Sequence, residues 1–202
     1  MLINDKNIIL ASSSTVRHTI LINAGIQCSV IPSHINETKI KQKLIDEGKS
    51  FKIIAMELAR AKAKQISKDH LNSIIIGADQ MLICGDQSFD KPKNQKGCIK
   101  TLQQLSGKRH RLISSVCLLH NKNVIGEITE YADLTMRDLS LYKIHRYIDQ
   151  AGEGIYSSVG AYHYEKVGIQ LFNKIEGDYF TILGLPLIQL LDVLRQLNSK
   201  KA

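Results

Sequence analysis

Aromatic side chains are scarce in this chain of 202 residues, at 5% with no tryptophan. That scarcity argues against an RNA- or DNA-binding module, which needs rings interleaved with Lys and Arg on which bases can stack. Only four cysteines occur, Cys28, Cys84, Cys98 and Cys117, with no C-x-x-C pair among them. Neither a disulfide framework nor a zinc ribbon is therefore expected, and the four read as buried thiols in a reducing compartment. No apolar run approaches the length of a membrane span, and polar residues precede Ile8 too closely to leave room for a signal peptide, so a cytoplasmic protein without membrane contact is expected. Internal repeats, low-complexity tracts and linkers are also missing.

What is present is a chain with 44% hydrophobic residues, enough for a real core in one domain or in two lobes sharing one sheet. The formal charge of +8 fits nucleic acid, an anionic small substrate or a merely lysine-rich surface, and composition does not choose among them. Most basic residues are scattered singly. The cluster Lys108, Arg109, His110 and Arg111 leads into an apolar run, so alternate members face outward from a strand.

Strand and helix signals alternate along the chain. Ile8 to Ala11 reads as a strand, Thr15 to Ala24 as a helix ended by Gly25, and Ile26 to Ile31 as a second strand before Pro32. Phe51 to Ile66 carries apolar residues at helical spacing and feeds a strand from Ile74 that continues through Met81 to Cys84, turns at Gly85-Asp86 and returns toward Lys91-Pro92. Asn94 to Leu105 reads as a helix closed by Gly107. Arg111 to Leu119 and Val124 to Thr135 form a hairpin about Asn121 to Asn123, which favours a mixed sheet. Leu139 to Ile148 and Leu187 to Leu197 are the remaining helices.

Two segments carry chemistry. Ile74 to Gln80 reads I-I-I-G-A-D-Q, a buried strand that stops at Gly77 and presents Asp79 beyond its end, where α/β enzymes place a metal ligand or general base; turn chemistry alone also accounts for Gly and Asp there. The second is L-A-S-S-S-T-V-R, Leu10 to Arg17, where a strand opens into a helix through three serines. Free amides at a helix start, together with an arginine in the first turn, suit phosphate oxygens, although plain serine capping gives the same pattern.

In order and spacing these segments resemble the Maf family of nucleoside triphosphate pyrophosphatases along about residues 8–195. L-A-S-S-S-T-V-R matches that family's L-A-S-x-S-P-R-R opening. Ile35-Asn36-Glu37 stands for its V-D-E, Leu58 to Ala63 for L-A-x-x-K-A, and Gly77-Ala78-Asp79 for G-A-D. Asp90-Lys91-Pro92 covers the G-K-P position, Leu105-Ser106-Gly107 with His110 the L-S-G-x-x-H segment, and Ile175 to Pro186 the C-terminal signature. The resemblance implies one α/β domain over residues 1–202, with a mixed twisted sheet flanked by helices, Maf/ITPase-like, and two lobes around a nucleotide cleft. It also implies a homodimer.

The implied reaction is metal-dependent hydrolysis of a nucleoside triphosphate to monophosphate and pyrophosphate. Glu37 and Asp79 would hold Mg²⁺ or Mn²⁺, with Asp79 polarising water, while Arg17, Lys62 and Lys91 clamp phosphate oxygens and Ser12 completes the cradle. Truncating Lys62 or Lys91 to alanine would remove a phosphate-clamping cation and leave thermal stability almost untouched; a solvated charge on the helix is the other reading of Lys62. Gln80 after G-A-D and Glu165 before the signature resemble the branch acting on 7-methyl-GTP, whereas the dTTP/UTP branch carries threonine and glutamine. Thr15 replaces the usual proline, and Val16 stands where the methyl-GTP branch often has tryptophan, which removes a stacking surface and admits UTP or CTP as competitors. A nucleotide-sensing regulator of cell division is the other reading. His110 reads as a structural hydrogen-bond donor.

Overall fold

The computed structural model describes residues 7–199. Its elements in chain order begin with β1 (Ile8–Leu10), α1 (Thr15–Asn23), β2 (Ser29–Val30), α2 (Glu37–Asp46), α3 (Phe51–Ser67) and β3 (Ile74–Cys84). They continue with β4 (Gln87–Phe89), α4 (Gln95–Leu105), β5 (Arg109–His120), β6 (Asn123–Met136) and α5 (Leu141–Ala151). After two 3₁₀ turns at Glu153–Ser157 and Val167–Leu171 come β7 (Phe172–Glu176), α6 (Tyr179–Ile182) and α7 (Leu187–Ser199).

One mixed sheet has the order β2-β1-β3-β5-β6-β7, with β4 paired to β3. β1 runs parallel to both neighbours, setting Ile9 beside Ser29 and Ile75, while β3–β4 and β6–β7 are antiparallel. This is the mixed α/β architecture the β5–β6 hairpin implies. That hairpin turns on Asn121 and Lys122, with φ of +50° and +64°, the two left-handed residues a tight hairpin turn demands.

Helix starts follow their caps. Ser14, Asn36, Ser50, Asn94 and Ser140 each accept a hydrogen bond from the amide three residues on, satisfying a donor that the helix leaves orphaned. The Ile26 to Ile31 strand is shorter than expected. The Ile26 amide still donates to Leu21 O at 2.9 Å as part of the α1 terminus, so only Ser29–Val30 pairs with β1. Among the described residues no helix is long and apolar enough to cross a membrane.

By contact the chain falls into two compact units, the first of residues 7–80, 114–130 and 184–199, the second of residues 81–113 and 131–183. In the first, Ala59, Ala63 and Ile66 of α3 pack with Ile9, Ile75, Cys117 and Leu119 of the strands. The second has a larger core in which Leu102 and Leu105 of α4, Ile144 and Ile148 of α5, and Leu112, Leu134 and Phe172 of the sheet meet.

The basic cluster behaves as its alternation requires. Arg109 and Arg111 are exposed and both reach Asp133, their closest contacts 2.8 Å, while His110 between them is buried with Nε2 2.9 Å from the Tyr162 hydroxyl. Burial lowers the His110 imidazole to about 4. All four cysteines are free thiols, but only Cys98 and Cys117 are buried; Cys28 and Cys84 are half-buried.

Candidate active site

Gly77 is not where the strand ends. β3 runs through it to Cys84, and its φ is not in the left-handed region, so the glycine serves a close approach rather than a turn. A Cβ at Gly77 would stand 2.9 Å from the Ala63 Cβ and 2.8 Å from the Ala63 nitrogen, and closer still to the Ala59 carbonyl oxygen. Glycine on β3 opposite two alanines on α3 thus lets helix and strand touch backbone to backbone. Side chains two apart on a strand share a face, so Asp79 points toward α3 with Gly77.

Lys62, beside Ala63 on that helix, meets it. Its Nζ lies 2.6 Å from Asp79 Oδ1 and 3.0 Å from Glu37 Oε2. Lys62 and Asp79 are both buried, whereas the Glu37 side chain, in the first turn of α2, is half-exposed. Asn36 caps that turn by accepting from the Lys39 amide, fixing where Glu37 leaves the helix. Burial raises the Asp79 carboxyl above the usual carboxylate range, against the opposing pull of Lys62 and then Arg17, and Glu37 adds a smaller push in the same direction.

Arg17 leaves the first turn of α1 and is buried. Its Nη1 donates to Ser12 Oγ at 3.2 Å and to the Ala78 carbonyl at 2.9 Å, and its Nε donates to the Gly184 carbonyl at 2.8 Å. Nη2 has no acceptor among the described residues. Desolvation lowers the guanidinium from its ordinary value and Asp79 and Glu37 draw it back, so it stays charged. Ser12, Arg17, Glu37, Lys62 and Asp79 therefore form one cluster in the first unit, two cations balanced by two carboxylates.

Gln80 points the other way from Asp79. Its Nε2 donates to Ser114 Oγ of β5 at 3.0 Å, and its amide carbon is 3.5 Å from where a Cβ on Gly184 would stand, which brings it beside Arg17. Lys91 and Glu165 belong to the second unit. Lys91 is exposed on the segment after β4, next to a buried Pro92 that packs 3.2 Å from a would-be Cβ of Gly97. Glu165 is half-buried between the two 3₁₀ turns, where burial lowers the neighbouring His163 imidazole, Glu165 opposes that shift and Lys166 adds to it. The adjacent Tyr164 ring lies 6.4 Å from Phe172 and 5.9 Å from the exposed Tyr179.

Three partners escape the motif reading. The Ala78 and Gly184 carbonyls that hold Arg17 are main-chain groups with no residue signature of that role, although Ala78 falls inside G-A-D and Gly184 inside the C-terminal segment. Ser114 does leave a trace: Ser114 and Ser115 interrupt an otherwise apolar strand, and buried hydroxyls there call for partners, which Gln80 and Thr129 supply.

Comparison with curated proteins finds relatives along nearly the whole chain. A protein of Rhizobium johnstonii named 7-methyl-GTP pyrophosphatase is 44% identical over 95% of this chain and 96% of its own length. One of Paramagnetospirillum magneticum named nucleoside triphosphate pyrophosphatase is 43% identical over 93% of this chain and 96% of its own. Among solved structures, a HAM1 protein from Coxiella burnetii is similar at 17% identity and a TM-score of 0.39, covering 65% of this chain and 73% of that one. The model of the family described as Maf-like protein matches residues 7–197, and the chain belongs to that family.

Proposed function

We propose that this protein hydrolyses a nucleoside triphosphate between its α- and β-phosphates, releasing a nucleoside monophosphate and pyrophosphate. The observation that carries the reading is the buried cluster of Arg17, Lys62, Asp79 and Glu37, because it joins cations for phosphate oxygens to a carboxylate for water within one unit of a Maf-like chain.

The donor set fits a hard divalent cation. Two carboxylate oxygens converge on one Nζ at 2.6 and 3.0 Å, and no group of three or more His, Cys, Asp or Glu gathers among the described residues. One or two carboxylates completed by substrate phosphates is the usual setting of Mg²⁺ or Mn²⁺, while zinc asks for three or four protein ligands. Glu37 and Asp79 would hold it, and its chemistry there is to neutralise charge on the triphosphate.

The protein's own groups divide the remaining work. Arg17 has Nη2 to offer a phosphate oxygen while its other nitrogens keep the Ser12 loop, Ala78 and Gly184 in place. The amides at the start of α1 add further donors to an anion. Lys62 supplies an ammonium on a flexible stem. Asp79, raised by burial, suits the acceptor of a proton from the water that attacks the α-phosphorus; the α–β bridging bond breaks and pyrophosphate departs with the electron pair. Lys91 as a further phosphate cation, Gln80 and Glu165 as readers of the base, 7-methyl-GTP as substrate and a homodimeric assembly rest on the family pattern and on the names of the relatives.

Asp79→Asn keeps shape and removes the charge, so pyrophosphate release should fall at least ~10²-fold with the fold intact. Near-normal release from Asp79→Asn at a normal metal optimum removes Asp79 from this role, and absence of pyrophosphate release from the unsubstituted protein across a panel of triphosphates removes the activity.

A further inference from the structure

The position where Glu37 and Asp79 converge is already filled by a cation of the protein itself. Lys62 Nζ touches both carboxylates, at 3.0 and 2.6 Å. An ammonium and a divalent ion cannot share that point, since like charges so close repel strongly where water is scarce, and Lys62 and Asp79 are both buried. Backbone contact between Gly77 and Ala59 with Ala63 pins α3 to β3, so the helix cannot carry the lysine away. The four-carbon stem is the part able to move.

Resting on the reading that these two carboxylates take a divalent cation, we propose that Lys62 is the resident counter-cation of that position and makes metal entry conditional on nucleotide. Without nucleotide the ammonium compensates two converging carboxylates, of which buried Asp79 would otherwise keep only the weaker pull of Arg17. An arriving triphosphate presents several anionic oxygens, and Nζ transfers to them. Both carboxylates are thereby freed for the divalent ion that the same triphosphate brings or attracts. One lysine thus serves as counter-ion before binding and as phosphate clamp afterwards, which imposes an order: nucleotide before metal, or both together.

The test is Mn²⁺ binding to metal-stripped protein without nucleotide, read from the electron paramagnetic resonance of free Mn²⁺. Lys62→Met and Lys62→Gln should bind one Mn²⁺ at least ~10-fold more tightly than the unsubstituted protein, and adding Asp79→Asn should abolish the gain. Lys62→Arg, which keeps the charge, should stay as weak as the parent. Should Lys62→Met fail to fold, Lys62→Gln, whose amide still donates to a carboxylate, carries the comparison. Equal Mn²⁺ affinity in the parent and in a folded neutral variant overturns the proposal. Pyrophosphate release, assayed separately, distinguishes the two readings: an inactive parent with the expected Mn²⁺ pattern loses the activity and keeps the counter-cation, and an active parent with equal affinities does the reverse.

Discussion

Gly77→Ala is a substitution of one hydrogen by a methyl, and the structure makes it costly. The added carbon would lie 2.8 Å from the Ala63 nitrogen and 2.9 Å from the Ala63 Cβ, with the Ala59 carbonyl nearer still. None of these is the end of a flexible side chain, so no rotamer change relieves the overlap and α3 must shift as a body. Overpacking of a core costs 1–3 kcal/mol, and contact with main chain puts this case near the top, about 3 kcal/mol. For a chain of this size that corresponds to a Tm lower by roughly 6–12 °C. Lys62 rides on the displaced helix and Asp79 shares the face of Gly77, so their 2.6 Å contact loosens and turnover should fall together with Tm. Differential scanning calorimetry and pyrophosphate release on the same preparation check both. A Tm within ~1 °C of the parent would refute the close-packing argument, because a methyl without a clash has nothing to displace.

Lys62→Ala leaves Asp79 buried without its partner, and breaking such a pair costs about 3–5 kcal/mol, so the midpoint of urea unfolding should drop; a solvent-facing phosphate clamp would leave it unchanged. His110 titrates at about 4 in the folded chain against an ordinary 6.5, so the unfolded state binds the extra proton between those values. Stability should therefore fall as pH drops from 6.5 toward 4 by about 3 kcal/mol and level off below, and His110→Gln should flatten that slope in unfolding curves taken across the range. For the base, kcat/KM should be higher for 7-methyl-GTP than for dTTP, and Glu165→Gln should narrow the ratio by removing a charge that favours a cationic ring; dTTP as best substrate with an unchanged ranking in Glu165→Gln sinks the base assignment.

Long amphipathic segments were legible because period and caps agree. Phe51 to Ile66 differs from α3 by one residue at its end, and the Asn121–Lys122 hairpin turned where its polar residues said it would. What failed was short or ambiguous. Gly77 reads as a stop, because glycine punctuates strands, but also as one residue of a strand that continues to Cys84; the second reading is the one the fold bears out, and the opposing helix explains why, since glycine there marks close backbone approach. β7 and α6, of 5 and 4 residues, are too brief for a period to show, and only α6 and the end of β7 lie in a segment visible as a motif.

The site shows the same division. Asp79, Lys62 and Glu37 were found as residue types at spacings that resemble a family, but spacing alone made each a separate candidate: a strand carboxylate, a lysine on a helix face, an acidic helix start. Their convergence is a consequence of size. Ala59 and Ala63 are small enough, and Gly77 smaller still, for α3 to lie directly on β3, and this brings a lysine one residue from Ala63 within 2.6 Å of a carboxylate two residues from Gly77. Lys62 at a wider helix–strand separation would reach solvent and behave as the solvated helix charge that is the other reading of its sequence position. Close packing makes it a buried counter-ion, so the stability of the first unit and its chemistry depend on the same contact and a substitution that opens it should damage both.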